Sequence, residues 1–235
     1  AGQTTGSSDR VKNPNGEDVY IDGETLSYTT EVKSGAEDYE LPLVTTPVTV
    51  DVTDTDTQAT VTITANPVQE GENIVFTATV DADKTPKTDL VISVKDSNGN
   101  EVTTIKIPAG QTTGSSNPVT NPNGEDVYND GSTLNYTTEV KSGGTEYELP
   151  LNTTPVSVVV TDTKDTTTVT ITANQPQEGQ DIVFTATVDA DKTPKDAPLV
   201  ISVKDSNKNE VTTITIPVGQ TTGSSDRVTN PNVED

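Results

Sequence analysis

The sequence predicts an all-β protein assembled from tandem sandwich repeats of about 108 residues. Three observations predict it: the chain repeats itself, its apolar residues alternate with a period of two, and turn residues separate the alternating runs. The repeat comes first, because every element downstream depends on it. "DVYIDGETLSYTTEVKSGA" at 18–36 returns as "DVYNDGSTLNYTTEVKSGG" at 126–144. Val61, Phe76 and Asp81 return 108 positions later as Val169, Phe184 and Asp189. Past "KTPKDAPL" the offset becomes 109, because the second copy carries one extra residue near Pro198. A period of that length is a whole small domain rather than one turn of a solenoid.

The alternation places the strands. "TVTIT" puts Val61 and Ile63 on one face and predicts a strand over 60–65. "NIVFTATVD" does the same with Ile74, Phe76, Ala78 and Val80, giving 74–80. Two apolar runs at 90–95 and 101–107 flank Asn98-Gly99, a dipeptide that tolerates positive φ and signals a tight hairpin. The second copy has Asn207-Lys208 there, a weaker tight-turn signal that leaves room for a longer loop. A turn-rich connection over 108–132 follows, then strands at 133–141, 146–151 and 155–161. Runs of five to eight residues rich in Thr, Val, Ile and Tyr suit half-buried strands. Val159 aligns with Asp51 and must therefore face solvent, while Val156, Val158 and Val160 face the core. About seven short strands in one period indicate an Ig-like β-sandwich, with no helix longer than two turns.

Counted from Thr60, one complete repeat occupies 59–165. Residues 1–58 are then the C-terminal part of a preceding repeat, and 166–235 the N-terminal part of the next. Half a sandwich leaves an open apolar face and unpaired edges. The two halves are expected to be completed by neighbouring repeats, either of the same chain or of identical chains meeting head to tail.

Composition restricts the chemistry. A formal charge of −23 makes nucleic acid and anionic membrane poor partners, and no apolar run is long enough for direct membrane insertion. His and Cys are absent, which removes Ser-His-Asp and Cys-His catalysis and thiolate zinc sites. "GQTTGSS" occurs three times but is followed by no lysine and opens no helix, so it reads as a Gly/Ser/Thr turn and not a phosphate loop. Carboxylate catalysis in every repeat, with no aromatic platform for sugars, is a poor fit, and the chain is read as non-enzymatic. The rival reading from another class is a module that itself binds a glycan or protein ligand, which would need exposed aromatics on a loop face.

The acidic residues carry a pattern. Asp81 and Asp83 return as Asp189 and Asp191 at the end of the second strand. Asp54 returns as Asp162, with Asp56 or Asp165 beside it in the linkers "TDTDT" and "TDTKDT". Asp18 and Asp22 return as Asp126 and Asp130. A chain entering such a sandwich at one pole would bring Asp54 and Asp56 toward Asp81 and Asp83, and Asp162 and Asp165 toward Asp189 and Asp191. Several carboxylates with backbone carbonyls suit Ca²⁺, a hard cation with six to eight oxygen ligands. Asp126 with Asp130 is a further candidate. The plain alternative is a solvated acidic surface that keeps a long fibre soluble.

The run "TVTITA", "IVFTATVD", "LVISV", "PAGQTTGSS", "DVYNDG" and "VTDTKDTTTVTIT" resembles the Ig-like extender repeats of giant secreted RTX-type bacterial adhesins, including marine ice-binding and biofilm adhesins. The resemblance covers essentially the whole chain. It implies an extracellular spacer at the bacterial cell surface, stiffened by Ca²⁺ at domain junctions and holding a distal binding domain away from the cell. Asp162, Asp165, Asp189 and Asp191 are the positions that match such a junction.

Overall fold

A computed structural model of the chain describes residues 3–232; the extreme ends of the first and last segments lie outside the described residues, as does the Gly2 that opens the first "GQTTGSS". All regular elements among the described residues are strands: β1 (Glu24–Tyr28), β2 (Val48–Val52), β3 (Thr60–Ala65), β4 (Val68–Gln69), β5 (Phe76–Thr79), β6 (Leu90–Lys95), β7 (Glu101–Ile107), β8 (Thr113–Ser115), β9 (Ser132–Ser142), β10 (Asn152–Thr153), β11 (Val156–Thr161), β12 (Thr170–Ala173), β13 (Phe184–Thr187), β14 (Leu199–Lys204), β15 (Glu210–Ile216) and β16 (Thr222–Ser224). They form two compact units, Ala1–Gly124 with Gly131–Thr161, and Glu125–Asp130 with Asp162–Asp235.

In the first unit a four-stranded sheet, β10-β3-β5-β8, faces a five-stranded sheet, β4-β11-β9-β6-β7. The alternating residues of both sheets meet in one core: Val61 and Ile63 of β3 with Phe76 and Ala78 of β5 from one sheet, and Leu90, Ile92 and Val94 of β6, Tyr136 of β9, and Val156 and Val158 of β11 from the other. The Phe76 and Tyr136 rings meet edge to face at 4.9 Å, the arrangement aromatic quadrupoles prefer. Val159 is exposed while Val158 and Val160 are buried, as the alignment with Asp51 requires. The same unit holds the two-stranded β1-β2 ladder of residues 24–52. The second unit repeats the first half of the sandwich, with sheets β12-β13-β16 and β14-β15 around Ala186, Val188, Ile214 and Ile216.

Two local expectations are corrected. The "TTGSS" segment is not only a turn, because β8 and β16 pair antiparallel with β5 and β13. Its glycine is required by close approach: a Cβ on Gly114 would overlap the Lys106 carbonyl oxygen, and one on Gly223 that of Thr215. Residues 146–151 are not a strand. Their backbone turns, and its hydrogen bonds go to residues 19–21 instead of a ladder. The β6–β7 hairpin closes at Asn98-Gly99 as expected, with positive φ at Gly99 and the Asp96 carboxylate accepting the Asn98 and Asn100 amides.

The second hairpin is not lengthened. Asp205 accepts the Asn207 and Asn209 amides in the same way, which forces Lys208 to φ +67° where the first copy has Gly99 at +81°. In an L-residue that conformation crowds the Cβ and costs about 1–2 kcal/mol. Lys208→Gly is therefore expected to stabilise the second unit by roughly 0.5–1 kcal/mol, since glycine's own entropy offsets part of the gain. Amide exchange across residues 199–216 measures it, and unchanged or faster exchange would refute the assignment of strain.

Candidate functional site at the repeat junction

The segment before each first strand is where chemistry-bearing residues collect. In the first unit the Asp18 carboxylate accepts the Tyr20 amide at 2.7 Å, a local turn that sends Val19 and Tyr20 inward. They pack with Ala59 and Tyr147 into a small core of their own, against which Leu151 lies. The Tyr20 and Tyr147 rings are 5.3 Å apart, the Lys87 ammonium sits 4.0 Å from the Tyr20 ring centroid, and both phenols reach backbone carbonyls: Tyr20 donates to Thr85 at 2.6 Å and Tyr147 to Lys84 at 2.7 Å. The Ile21 amide donates to the Glu146 carbonyl, and the Glu148 amide to that of Val19. Burial raises the Tyr20 phenol pKa, more than the hydrogen bond to Thr85 lowers it, and the charges of Asp18, Glu146 and Asp83 add to the rise.

The linker is tied at the same place. Glu17 accepts hydroxyl hydrogen bonds from Thr55 and, at 2.7 Å, from Thr57, which lower its pKa. Glu148 accepts the Thr57 amide at 2.8 Å. Glu146 accepts the Lys87 and Thr88 amides; burial pushes its pKa up, but the bond from its own amide together with these outweighs it and leaves the carboxyl lowered.

The second unit builds this arrangement again. Asp126 accepts the Tyr128 amide at 2.7 Å, Tyr128 donates to the carbonyls of Thr193 at 2.6 Å and Asp191 at 3.3 Å, and the Lys195 ammonium lies 3.5 Å from its ring centroid. The Thr163 hydroxyl donates to Glu125 at 2.6 Å. That bond lowers the Glu125 pKa, but a hydrogen bond to Asp165, burial and the Asp165 charge outweigh it and leave the carboxyl raised. Two carboxylates are pressed together there.

Each acid singled out in the sequence has a definite place. Asp54 accepts the Asp22 amide at 3.2 Å, and Asp162 accepts the Asp130 amide at 3.2 Å. Asp56 and Asp83 are exposed. Asp81 is bridged to Lys84 at 3.0 Å and Asp189 to Lys192 at 3.3 Å. Asp126 is bridged to Lys195, Asp165 accepts from Thr163, and Asp191 offers its carbonyl to Tyr128. Among the described residues, no three carboxylates drawn from Asp54, Asp56, Asp81 and Asp83 have oxygens within 4.8 Å of one another, nor do three from Asp162, Asp165, Asp189 and Asp191. The structure instead brings Asp22 to Asp54. With Asn13, Asn15, Glu17 and Asp18 they line a hollow whose polar side-chain atoms are oxygens and amides, although no three of its carboxylates have oxygens within 4.8 Å of one another either.

Sequence reasoning missed the tyrosines and lysines of this junction, and the glutamates of "EYE". A signal was present: "EDVY.DG" returns with its tyrosine intact in a chain of only six.

The fold defines a class, a tandem β-sandwich protein in which each unit carries the same tyrosine and lysine arrangement. The model of the LapA domain family matches residues 56–163. No curated protein matches the chain. Among solved structures, a two-domain protein of unknown function from Bacteroides fragilis NCTC 9343 is 8% identical, with 75% of this chain and 91% of that one covered at a TM-score of 0.30. The I9–I11 tandem of titin is 12% identical, with 92% and 81% covered at a TM-score of 0.25. Neither superposition is close enough to bear on the function of this chain.

Proposed function

We propose that the chain is a non-enzymatic extender segment of a large secreted bacterial adhesin. It stands at the cell surface and is stiffened by Ca²⁺ at its junctions, and it carries a distal binding domain outward. One observation carries the reading: the connection made by Tyr20, Thr85 and Lys87 is made again by Tyr128, Thr193 and Lys195. A chain that fastens each repeat with the same device resists bending, and that is what a spacer has to do. The match of residues 56–163 to the LapA domain and the resemblance of the repeats to adhesin extenders support the setting.

Ca²⁺ is supported by the donor chemistry. Asp22, Asp54, Glu17 and Asp18 in the first unit, and Asp130, Asp162, Glu125 and Asp165 in the second, are the residues that would hold it. A divalent ion there would relieve the crowding that raises the Glu125 pKa. Asp81 and Asp189, each with its own lysine, are second choices.

An ion that binds only the folded form stabilises it by about 2.7 kcal/mol per site when free ion is 100 times its dissociation constant. The melting midpoint is expected to rise on adding Ca²⁺ and to fall with chelator. Asp54→Asn and Asp162→Asn are each expected to remove part of the rise. Superimposable melts with and without Ca²⁺ would sink the metal reading, while an unchanged response in both variants would move the site elsewhere.

A further inference from the structure

We propose that Asn98 is a self-modifying site, at which the exposed Asn98-Gly99 peptide cyclises and converts the asparagine to aspartate or isoaspartate. Two copies of one hairpin tip point to it, with neither a metal nor a partner involved.

The chain has three Asn-Gly pairs, at 15–16, 98–99 and 123–124. Two of them hold a half-buried asparagine in place. The Asn15 side-chain amide donates to the Asp22 carbonyl at 3.0 Å, and its backbone amide donates to Asn13 at 3.1 Å. The Asn123 amide donates to the Asn121 side chain at 3.0 Å, and its carbonyl accepts the Gly71 amide at 3.1 Å. Asn98 and Gly99 instead stand exposed at the tip between β6 and β7, and a Cβ on Gly99 would meet nothing within 4 Å.

The chemistry uses only this peptide, solvent base and water. The Gly99 amide nitrogen loses its proton to solvent and attacks the Asn98 side-chain carbonyl carbon, Cγ. A bond from that nitrogen to Cγ closes a cyclic imide as the bond from Cγ to Nδ2 breaks, and the side-chain nitrogen leaves as ammonia with protons from solvent. Water then opens the ring at either carbonyl. One opening gives aspartate at 98, and the other gives isoaspartate, with the main chain rerouted through Cβ. Nothing is oxidised or reduced.

The second unit supplies an internal comparison. "DSNGNE" at 96–101 returns as "DSNKNE" at 205–210. Asp96 accepts the Asn98 and Asn100 amides, both at 2.9 Å, and Asp205 accepts those of Asn207 and Asn209 at 2.8 and 2.9 Å. In each tip the residue after the asparagine donates its amide to the aspartate carbonyl at 3.0 Å. That bond occupies the nucleophile, so cyclisation waits for the tip to open, and exposed loop tips open ahead of the ladders they join. The two tips share their clamp and differ at one side chain. Glycine brings its nitrogen to Cγ with no Cβ in the way. Lys208 shields the same nitrogen and restricts its backbone, so Asn207 is spared.

The product acts on the turn. Asp96 is held below its ordinary pKa first by the Asn100 amide and side chain, and also by Asn98. Aspartate at 98 sets a second carboxylate beside it, and like charges oppose each other. Isoaspartate adds a methylene to the backbone of a turn whose last ladder pair, Lys95 opposite Glu101, already follows a bulge.

Ageing the 235-residue chain in mildly alkaline buffer tests it, with peptide mapping by mass spectrometry and enzymatic methylation to detect isoaspartate. The intact Asn98 peptide is expected to decline while those of Asn15, Asn123 and Asn207 persist. Reactivity is expected to follow the glycine. Lys208→Gly raises the conversion of Asn207 to that of Asn98, and Gly99→Lys lowers that of Asn98 to the level of Asn207. Asn98 that persists as long as Asn207 would overturn the proposal, and so would conversion concentrated at Asn15 or Asn123. Where Gly99→Lys fails to fold, the Lys208→Gly chain decides alone: an Asn207 that stays intact in it refutes the part assigned to the following residue.

Discussion

Phe76→Ala is expected to cost about 3–5 kcal/mol, while the same change at Phe184 costs substantially less. Phe76 is fully buried between the two sheets, its ring edge against Tyr136, with Ile63, Ile92 and Val158 in the same core. Removing it deletes the largest fully buried side chain of the sandwich and leaves a cavity that two sheets of fixed spacing cannot close. Phe184 occupies the same sequence position but is only partly buried at the margin of the smaller core of Ala186, Val188, Ile214 and Ile216. Denaturant unfolding of the two variants separates the cases: a large loss for Phe76 and a small one for Phe184 is expected. Equal losses would mean that the second unit buries its phenylalanine as completely as the first.

Tyr147→Ala is expected to cost about 3 kcal/mol and to release the segment at 19–21, since it removes a buried ring and a hydrogen bond together. Tyr147→Phe keeps the ring, loses only the bond to the Lys84 carbonyl, and is expected to cost about 1 kcal/mol. The Ile21 amide, which donates to the Glu146 carbonyl, reports the change through its exchange rate. Protection of Ile21 that survives the alanine variant would show that the tyrosine pair does not hold the junction. Alkali acts on the same group. Burial, and after it the neighbouring Tyr20 and Glu146, raise the Tyr147 phenol well above its ordinary value of 10.0. A phenol with a raised folded pKa stabilises the fold below its unfolded pKa, and that contribution is lost as pH climbs from about 10 upward. The junction is therefore expected to loosen above about pH 10, with phenolate absorbance and Ile21 exchange rising together.

Strands β3, β5, β6, β7, β9 and β11 were legible because each has one face in a core and one in water, so burial writes a period of two into the chain. The hairpin position at Asn98-Gly99 was legible too, since that dipeptide accepts the positive φ a tight turn needs and most residues do not. β8 was not, because three residues with a central glycine carry no face pattern; what demands Gly114 is the Lys106 carbonyl on another strand. Residues 146–151 alternate like a strand, yet Tyr147 packs on Tyr20 and Leu151 on the small core beside it. The acids followed the same division. Their recurrence was visible, but whether Asp54 would meet Asp22 or Asp81 depends on how the chain folds back on itself.

The repeat, the strand class and the candidate acids thus follow from order along the chain, because side-chain alternation is a property of neighbours. The junction does not. Tyr20 meets Thr85, and Tyr128 meets Thr193, each across 65 residues. Contacts of that separation are selected by the burial of an entire sandwich face, a cooperative quantity that no local window contains. Only the folded sheets set those atoms within hydrogen-bonding distance.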